Sequence, residues 1–196
     1  MKNAKYVIIA IACICVICAG FFFFTQGTQE NEKNLTEVEK VIVKDLKNNY
    51  PKTPREVVKF YNRIVKCYYG SEEPTEKQLG DLVEQMLCLM DDDLLLMNPH
   101  DTYYKSVVQD IAYYKQHNKQ LVSTDVCDSN EVKYVTDDKD GEGESDKLAY
   151  VNASYFMNED GKFGYSYQQF VLREDENGCW KILTFYQIQG EESDDK

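Results

Sequence analysis

Two histidines, one tryptophan and four prolines are all that 196 residues hold of those types, and glycine is only ten. So little glycine and proline excludes a collagen-like chain. No C-x-x-C pair occurs, which removes the usual zinc-knuckle and thioredoxin-type sites. There is no glycine-rich phosphate loop, no G-x-S-x-G and no clustered set of metal ligands. Basic residues are short too: 22 Lys plus Arg stand against 34 Asp plus Glu, a net charge of -12. A nucleic-acid binder needs a basic face to meet phosphates, so that class is excluded. The sequence names no reaction and implies no cofactor.

Aromatic and apolar residues are plentiful. Fifteen tyrosines and nine phenylalanines help bring the hydrophobic share to 43%, enough to build a core. The longest apolar run is Tyr6 to Phe24, YVIIAIACICVICAGFFFF, without a charge. A helix needs about 20 such residues to span a bilayer. Lys2 and Lys5 precede the run, and the positive flank stays in the cytoplasm. This predicts a cytoplasmic stretch 1–5, a transmembrane anchor 6–24 and an extracytoplasmic body in a single-pass cell-membrane protein. Cleavage after Cys18-Ala19-Gly20 is disfavoured because Phe21 to Phe24 follow, and lipidation of Cys13 because an apolar run follows it. Removing Lys2 and Lys5 leaves 20 basic against 34 acidic residues in 25–196, a net of -14. That acidity keeps the body soluble and off anionic headgroups.

Residues 25–52 are polar and read as a stalk, part of it helical through Leu35, Val38, Val41, Ile42 and Leu46. The domain is predicted at 53–190, followed by a frayed acidic tail 191–196. Thr53-Pro54-Arg55-Glu56 is a capping box with proline at the first helical position, and Gly70 can end that helix in a left-handed cap. A second box, Thr75-Glu76-Lys77-Gln78, opens a second helix. Asp91-Asp92-Asp93 caps a short turn through Met97. Asp101 starts a third long helix with Tyr104, Val107, Val108, Ile111 and Tyr114 on its apolar side.

After Asn118 the period drops from 3.6 to 2, predicting strands at 120–127, 131–137, 147–157, 162–174 and 179–188. Asn158-Glu159-Asp160-Gly161 and Glu176-Asn177-Gly178 sit where hairpin turns belong. Helices followed by strands predict an α+β fold, the helices packed on one face of an antiparallel sheet. The acidic loop 137–146 supplies oxygens on a calcium-loop template, but Ala149 stands where the bidentate Glu is required, so it reads as a solvated linker.

A capped N-terminal helix, further helices and a curved antiparallel sheet resemble the cone-shaped fold of the nuclear transport factor 2-like, or cystatin-like, superfamily over 53–188. The closing hairpin FVLREDENGCWKILTFYQI (170–188) is similar to the last two strands of many members. TPREVVKFYNRI (53–64) and DDDLLLMNP (91–99) resemble a family of uncharacterised membrane-anchored proteins from anaerobic Gram-positive bacteria. The superfamily resemblance implies a cavity inside the cone, where some members hold an acidic base or an Asp-His pair beside a tyrosine. Here His100 and His117 read as cap and surface residues, and the strand interiors between 147 and 188 carry almost no acid. Tyr165, Tyr167, Trp180 and Tyr186 could share one sheet face, with Tyr61 and Tyr104 opposing them from the helices. Together they are the candidate ligand-lining set, weighed against a merely tyrosine-rich core. Cys67, Cys88, Cys127 and Cys179 read as free thiols. The implied function is an anchored, non-catalytic binding or assembly module whose partner is an envelope protein or a small ligand. The alternative is a small-molecule isomerase, dehydratase or hydrolase working in the cone. Trp180 is predicted to face the helices and bury its ring.

Overall fold

The computed structural model describes residues 35–138 and 145–190. The stretches 1–5 and 6–24, the start of the stalk, most of the acidic loop and the tail lie outside them. Among the described residues no helix is long and apolar enough to cross a membrane. Two compact units divide between Lys40 and Val41. In the first, Thr36 and Glu39 cap each other, Thr36 N donating to Glu39 Oε2 at 2.8 Å and Glu39 N to Thr36 Oγ1 at 3.2 Å. That box opens α1 (Glu37–Ile42).

The second unit is α+β, with a five-stranded antiparallel sheet. Its helices are α2 (Pro54–Tyr69), α3 (Glu76–Leu87), α4 (Asp92–Met97) and α5 (His100–Gln116). Both long-helix capping boxes form: Thr53 with Glu56 before α2, and Thr75 with Gln78 before α3. Each satisfies two orphan N–H groups, and losing such a cap costs about 1 kcal/mol. Asp91 caps α4, its side chain accepting from Asp93 N. Gly70 ends α2 differently from the expected left-handed cap. It is extended (φ -81°, ψ -159°), and its N–H donates to Lys66 O at 2.8 Å. Glycine is needed there because a Cβ would lie 2.4 Å from that carbonyl oxygen.

The strands are β1 (Lys119–Val126), β2 (Lys133–Asp138), β3 (Ser145–Glu159), β4 (Lys162–Glu174) and β5 (Trp180–Ile188). They run in the order β1-β3-β4-β5, and β2 also pairs with β3. Asp160 (φ 51°) and Gly161 (φ 80°) make the tight β3–β4 turn, where both central residues need positive φ. Beyond β5, Asp91 N donates to Ile182 O at 2.9 Å and Ile182 N to Leu89 O at 2.8 Å. This short parallel bridge covers part of an edge that would otherwise stand open.

One face of the sheet, carrying Ala149, Val151, Ala153, Phe170 and Leu172, is buried under α2, whose Val57, Val58 and Ile64 are fully covered. α3 adds Leu82, Val83 and Met86. Arg55, in the first turn of α2, donates to Cys127 O at 2.6 Å and fixes that end of the helix over β1. Part of the expected stalk packs here as well. Val41 and Leu46 are buried, Gln85 Nε2 donates to Ile42 O, and Tyr50 OH donates to Trp180 O at 2.9 Å.

Two bulges break the alternation. In β1 the register shifts between Leu121 and Ser123. Against β5 it shifts at Val171/Leu172, which pair with Thr184 and Ile182 and leave Leu183 as the extra residue. Trp180 and Ile182 therefore face the helices, as does Phe185, whereas Thr184 and Tyr186 turn to the outer face.

Candidate functional site

Between α2, α5 and the inner face of the sheet lies a cavity of about 300 Å³. Its position follows from three side-chain periodicities. Tyr61, Val65, Tyr68 and Tyr69 recur at helical spacing along α2 and form one wall. Tyr103, Val107, Asp110 and Tyr114 do the same along α5. On the floor, Tyr155 and Met157 of β3 alternate inward, and their neighbours across β4 are Ser166 and Gly164. The apolar side of α5 thus covers a hollow, not a packed core. Only Val107 is buried in that helix, and Val108 stays 41% exposed.

The rings are held in place. Tyr61 meets Phe170 edge-on at 5.0 Å and Phe185 at 5.7 Å. Tyr69 and Tyr114 stack at 4.3 Å, and the Tyr69 hydroxyl lies 3.5 Å from Asp110 Oδ2. Tyr155 OH donates to Asn62 Oδ1 at 2.7 Å. The Tyr68 hydroxyl, buried in the wall, has no hydrogen-bond partner among the described residues. Burial pushes the phenols of Tyr61, Tyr68, Tyr69, Tyr103 and Tyr155 well above the ordinary tyrosine value, and the Asp110 carboxylate adds to the rise at Tyr69. They are neutral hydrogen-bond donors at any physiological pH, not nucleophiles. Asp110 is the one carboxylate in the lining, and it sits at the exposed rim.

Of the residues singled out in the sequence, Tyr61 lines this cavity. Tyr104 does not; its neighbour Tyr103 takes that place, one residue of helix phase away. Tyr165, Tyr167 and Tyr186 do share a face, but it is the outer one. There Tyr165 stacks with Tyr167 at 6.2 Å and packs on Phe156 at 4.8 Å, and the Tyr186 hydroxyl bonds Gln169. Trp180 is on the inner side at the far end, edge-on to Tyr134 at 5.7 Å, separated from Tyr186 by the bulge. Tyr68, Tyr69, Tyr155 and Asp110 also line the cavity and are not in the set drawn from the sequence. The i, i+7, i+8 recurrence of Tyr61, Tyr68 and Tyr69 could have found two of them.

Neither histidine enters the cavity lining. His100 contacts Glu84 at 3.0 Å and Asp101 at 3.1 Å, and His117 Nδ1 lies 2.9 Å from Tyr113 O. Cys88, Cys127 and Cys179 are free thiols, and Cys67 is buried. Among the described residues no group of three His, Cys, Asp or Glu could hold a metal ion.

A family model described as a domain of unknown function, DUF6715, matches residues 1–185. The chain belongs to the DUF6715 family. No curated protein matches it. The DUF6715 match takes in the apolar run 6–24 together with every residue that lines the cavity.

Proposed function

We propose that this DUF6715 protein is a membrane-anchored, extracytoplasmic binding module that takes a small ligand in the tyrosine-lined cavity without transforming it. The observation that carries the reading is the cavity wall: neutral phenols, one of them with an unpartnered buried hydroxyl, and, among the lining residues, no histidine or buried carboxylate to activate the Ser106 and Ser166 hydroxyls. Such a wall supplies contact area and hydrogen bonds but no proton acceptor placed inside. Helices over the inner face of a bulged antiparallel sheet, with a hollow between, agree with the cone of the nuclear transport factor 2-like superfamily. The uncharged run Tyr6 to Phe24 behind Lys2 and Lys5 supports an anchor with the body outside.

The second reading, an isomerase, dehydratase or hydrolase, rests on Asp110. Its carboxylate lies beside the Tyr69 hydroxyl, a base next to a hydrogen-bond donor. Its exposure at the rim favours the binding reading, because a catalytic base has to reach the substrate inside the hollow and this carboxylate stands at its solvent-facing edge.

A ¹⁵N-amide titration of the full chain in a maltoside detergent, with neutral, cationic and anionic fragments, tests the proposal. Shifts should converge on the lining segments of α2, α5 and β4 for at least one fragment. Ser166→Phe, which sets a ring into the hollow, should abolish them. Shifts that ignore this substitution would move the site elsewhere. Turnover of a bound fragment, lost in Asp110→Asn, would establish the enzyme instead. Protease added to intact, wall-stripped cells should digest the body; a protected body would overturn the topology.

A further inference from the structure

We propose that the ligand taken by this cavity is a small organic cation, a quaternary ammonium or amine. The inference rests on the binding reading above and narrows it to a chemical class. Seven of the fifteen lining residues are aromatic, so an occupant meets rings from α2, α5 and the sheet. Ring faces carry partial negative charge and attract ammonium groups within about 6 Å of the centroid. Burial keeps the phenols protonated, so the rings act as neutral π donors.

The charged groups agree. Asp110 is in the lining, while no Lys, Arg or His is. An anion would meet a carboxylate with no cation among the lining residues to balance it, and a neutral aliphatic ligand would gain nothing from the rings beyond apolar contact. Tyr114 already accepts an ammonium: Lys119 Nζ lies 5.5 Å from its ring centroid. That lysine is also 3.4 Å from Glu159, whose carboxylate offsets its repulsion of an incoming cation. The net charge of -14 over 25–196 enriches cations around the domain. A hollow of about 300 Å³ suits a ligand of metabolite size, and the free Tyr68 hydroxyl can bond one polar group on it.

The test is calorimetric titration of the full chain in a maltoside detergent with choline and butylammonium. Their uncharged counterparts, 3,3-dimethylbutan-1-ol and butan-1-ol, are the controls. At least one cation should bind, and its counterpart should bind at least about tenfold more weakly. Asp110→Asn and Tyr103→Leu should each weaken the cation about tenfold, whereas Tyr103→Phe, which keeps the ring, should not. Ser166→Phe should abolish binding, with circular dichroism showing that each variant folds. Phosphatidylcholine nanodiscs that compete with choline would identify a lipid headgroup as the source of the ammonium, and the absence of competition a free amine. Equal binding of cation and neutral counterpart would overturn the cationic class and leave the binding module standing. So would binding of anionic fragments alone in the amide titration. Binding of no fragment of any charge would sink both.

Discussion

The hydroxyl of Tyr155 donates to Asn62 Oδ1 at 2.7 Å, and both residues are buried. The bond ties the middle of β3 to the middle of α2 beside the cavity. The Asn62 Nδ2 group has no partner among the described residues, so this amide depends on Tyr155 for the hydrogen bond it makes. Tyr155→Phe should destabilise the domain by about 1–3 kcal/mol, the cost of stranding a buried polar group. Adding Asn62→Leu should recover much of that loss, because an apolar pair strands nothing. Urea unfolding of both variants checks this; a double variant no more stable than the single one would show that the bond is incidental.

Arg173 joins sheet to helix cap. Its Nε donates to Asp91 Oδ2 at 3.0 Å, and its terminal nitrogen bonds both Asp91 and Asp93, the latter at 2.7 Å. Asp91 is only 5% exposed. Arg173→Met should therefore cost about 3–5 kcal/mol, since it leaves a buried carboxylate without its counter-charge. Arg173→Lys should restore only part, because an ammonium lacks the fork that engages two acceptors. Arg173→Met combined with Asp91→Asn should be less harmful than Arg173→Met alone, and chemical denaturation would show a deeper loss if the network were not the cause.

His100 gives a pH signature. Its hydrogen bond to Asp101 chiefly, with Glu84 adding, raises its pKa above the ordinary 6.5. A folded pKa above the unfolded one means that the pairing stabilises fully below about pH 6.5. That contribution fades as pH rises through the folded value. The group is exposed, so the melting temperature is a poor readout. Its imidazole resonance should titrate above the ordinary value and drop back toward it in Asp101→Asn. An unchanged midpoint in that variant would contradict the pairing.

Local chemistry made the skeleton readable. Thr53–Glu56 and Thr75–Gln78 announce helix starts because a hydroxyl three residues before a Glu or Gln satisfies orphan amides without help from the rest of the fold. Asp160-Gly161 announces a turn because both positions need positive φ. The limits of the strand 162–174 agree with its sequence signals for the same reason: turn residues bound it on both sides. What stayed hidden depends on distant partners. Nothing in ILTFYQI marks Leu183 as a bulge; the pairing of Ile182 and Thr184 with β4 makes it one. Tyr103 and Tyr104 are equally plausible on paper, and the docking of α5 chooses the first. The packing of Val41, Leu46 and Tyr50 is hidden by the polar residues around them.

The bulge makes a prediction that regular alternation would not. An unbroken β5 would put Trp180 and Tyr186 on one face and give them similar burial. With Leu183 as the extra residue, Trp180 is 9% exposed and packed on Tyr134, while Tyr186 is 46% exposed on the outer face. Trp180→Ala should cost about 3–5 kcal/mol and Tyr186→Ala within about 1 kcal/mol. Phe185→Ala should fall between them, since that ring is 37% exposed yet touches Tyr61 and Phe170. The single tryptophan also reports directly: its emission should be blue-shifted and resist quenching by iodide. Comparable losses at Trp180 and Tyr186 would mean that β5 runs without the bulge and that Phe185 does not face the cavity, and a red-shifted, freely quenched emission would mean that Trp180 is not part of the core.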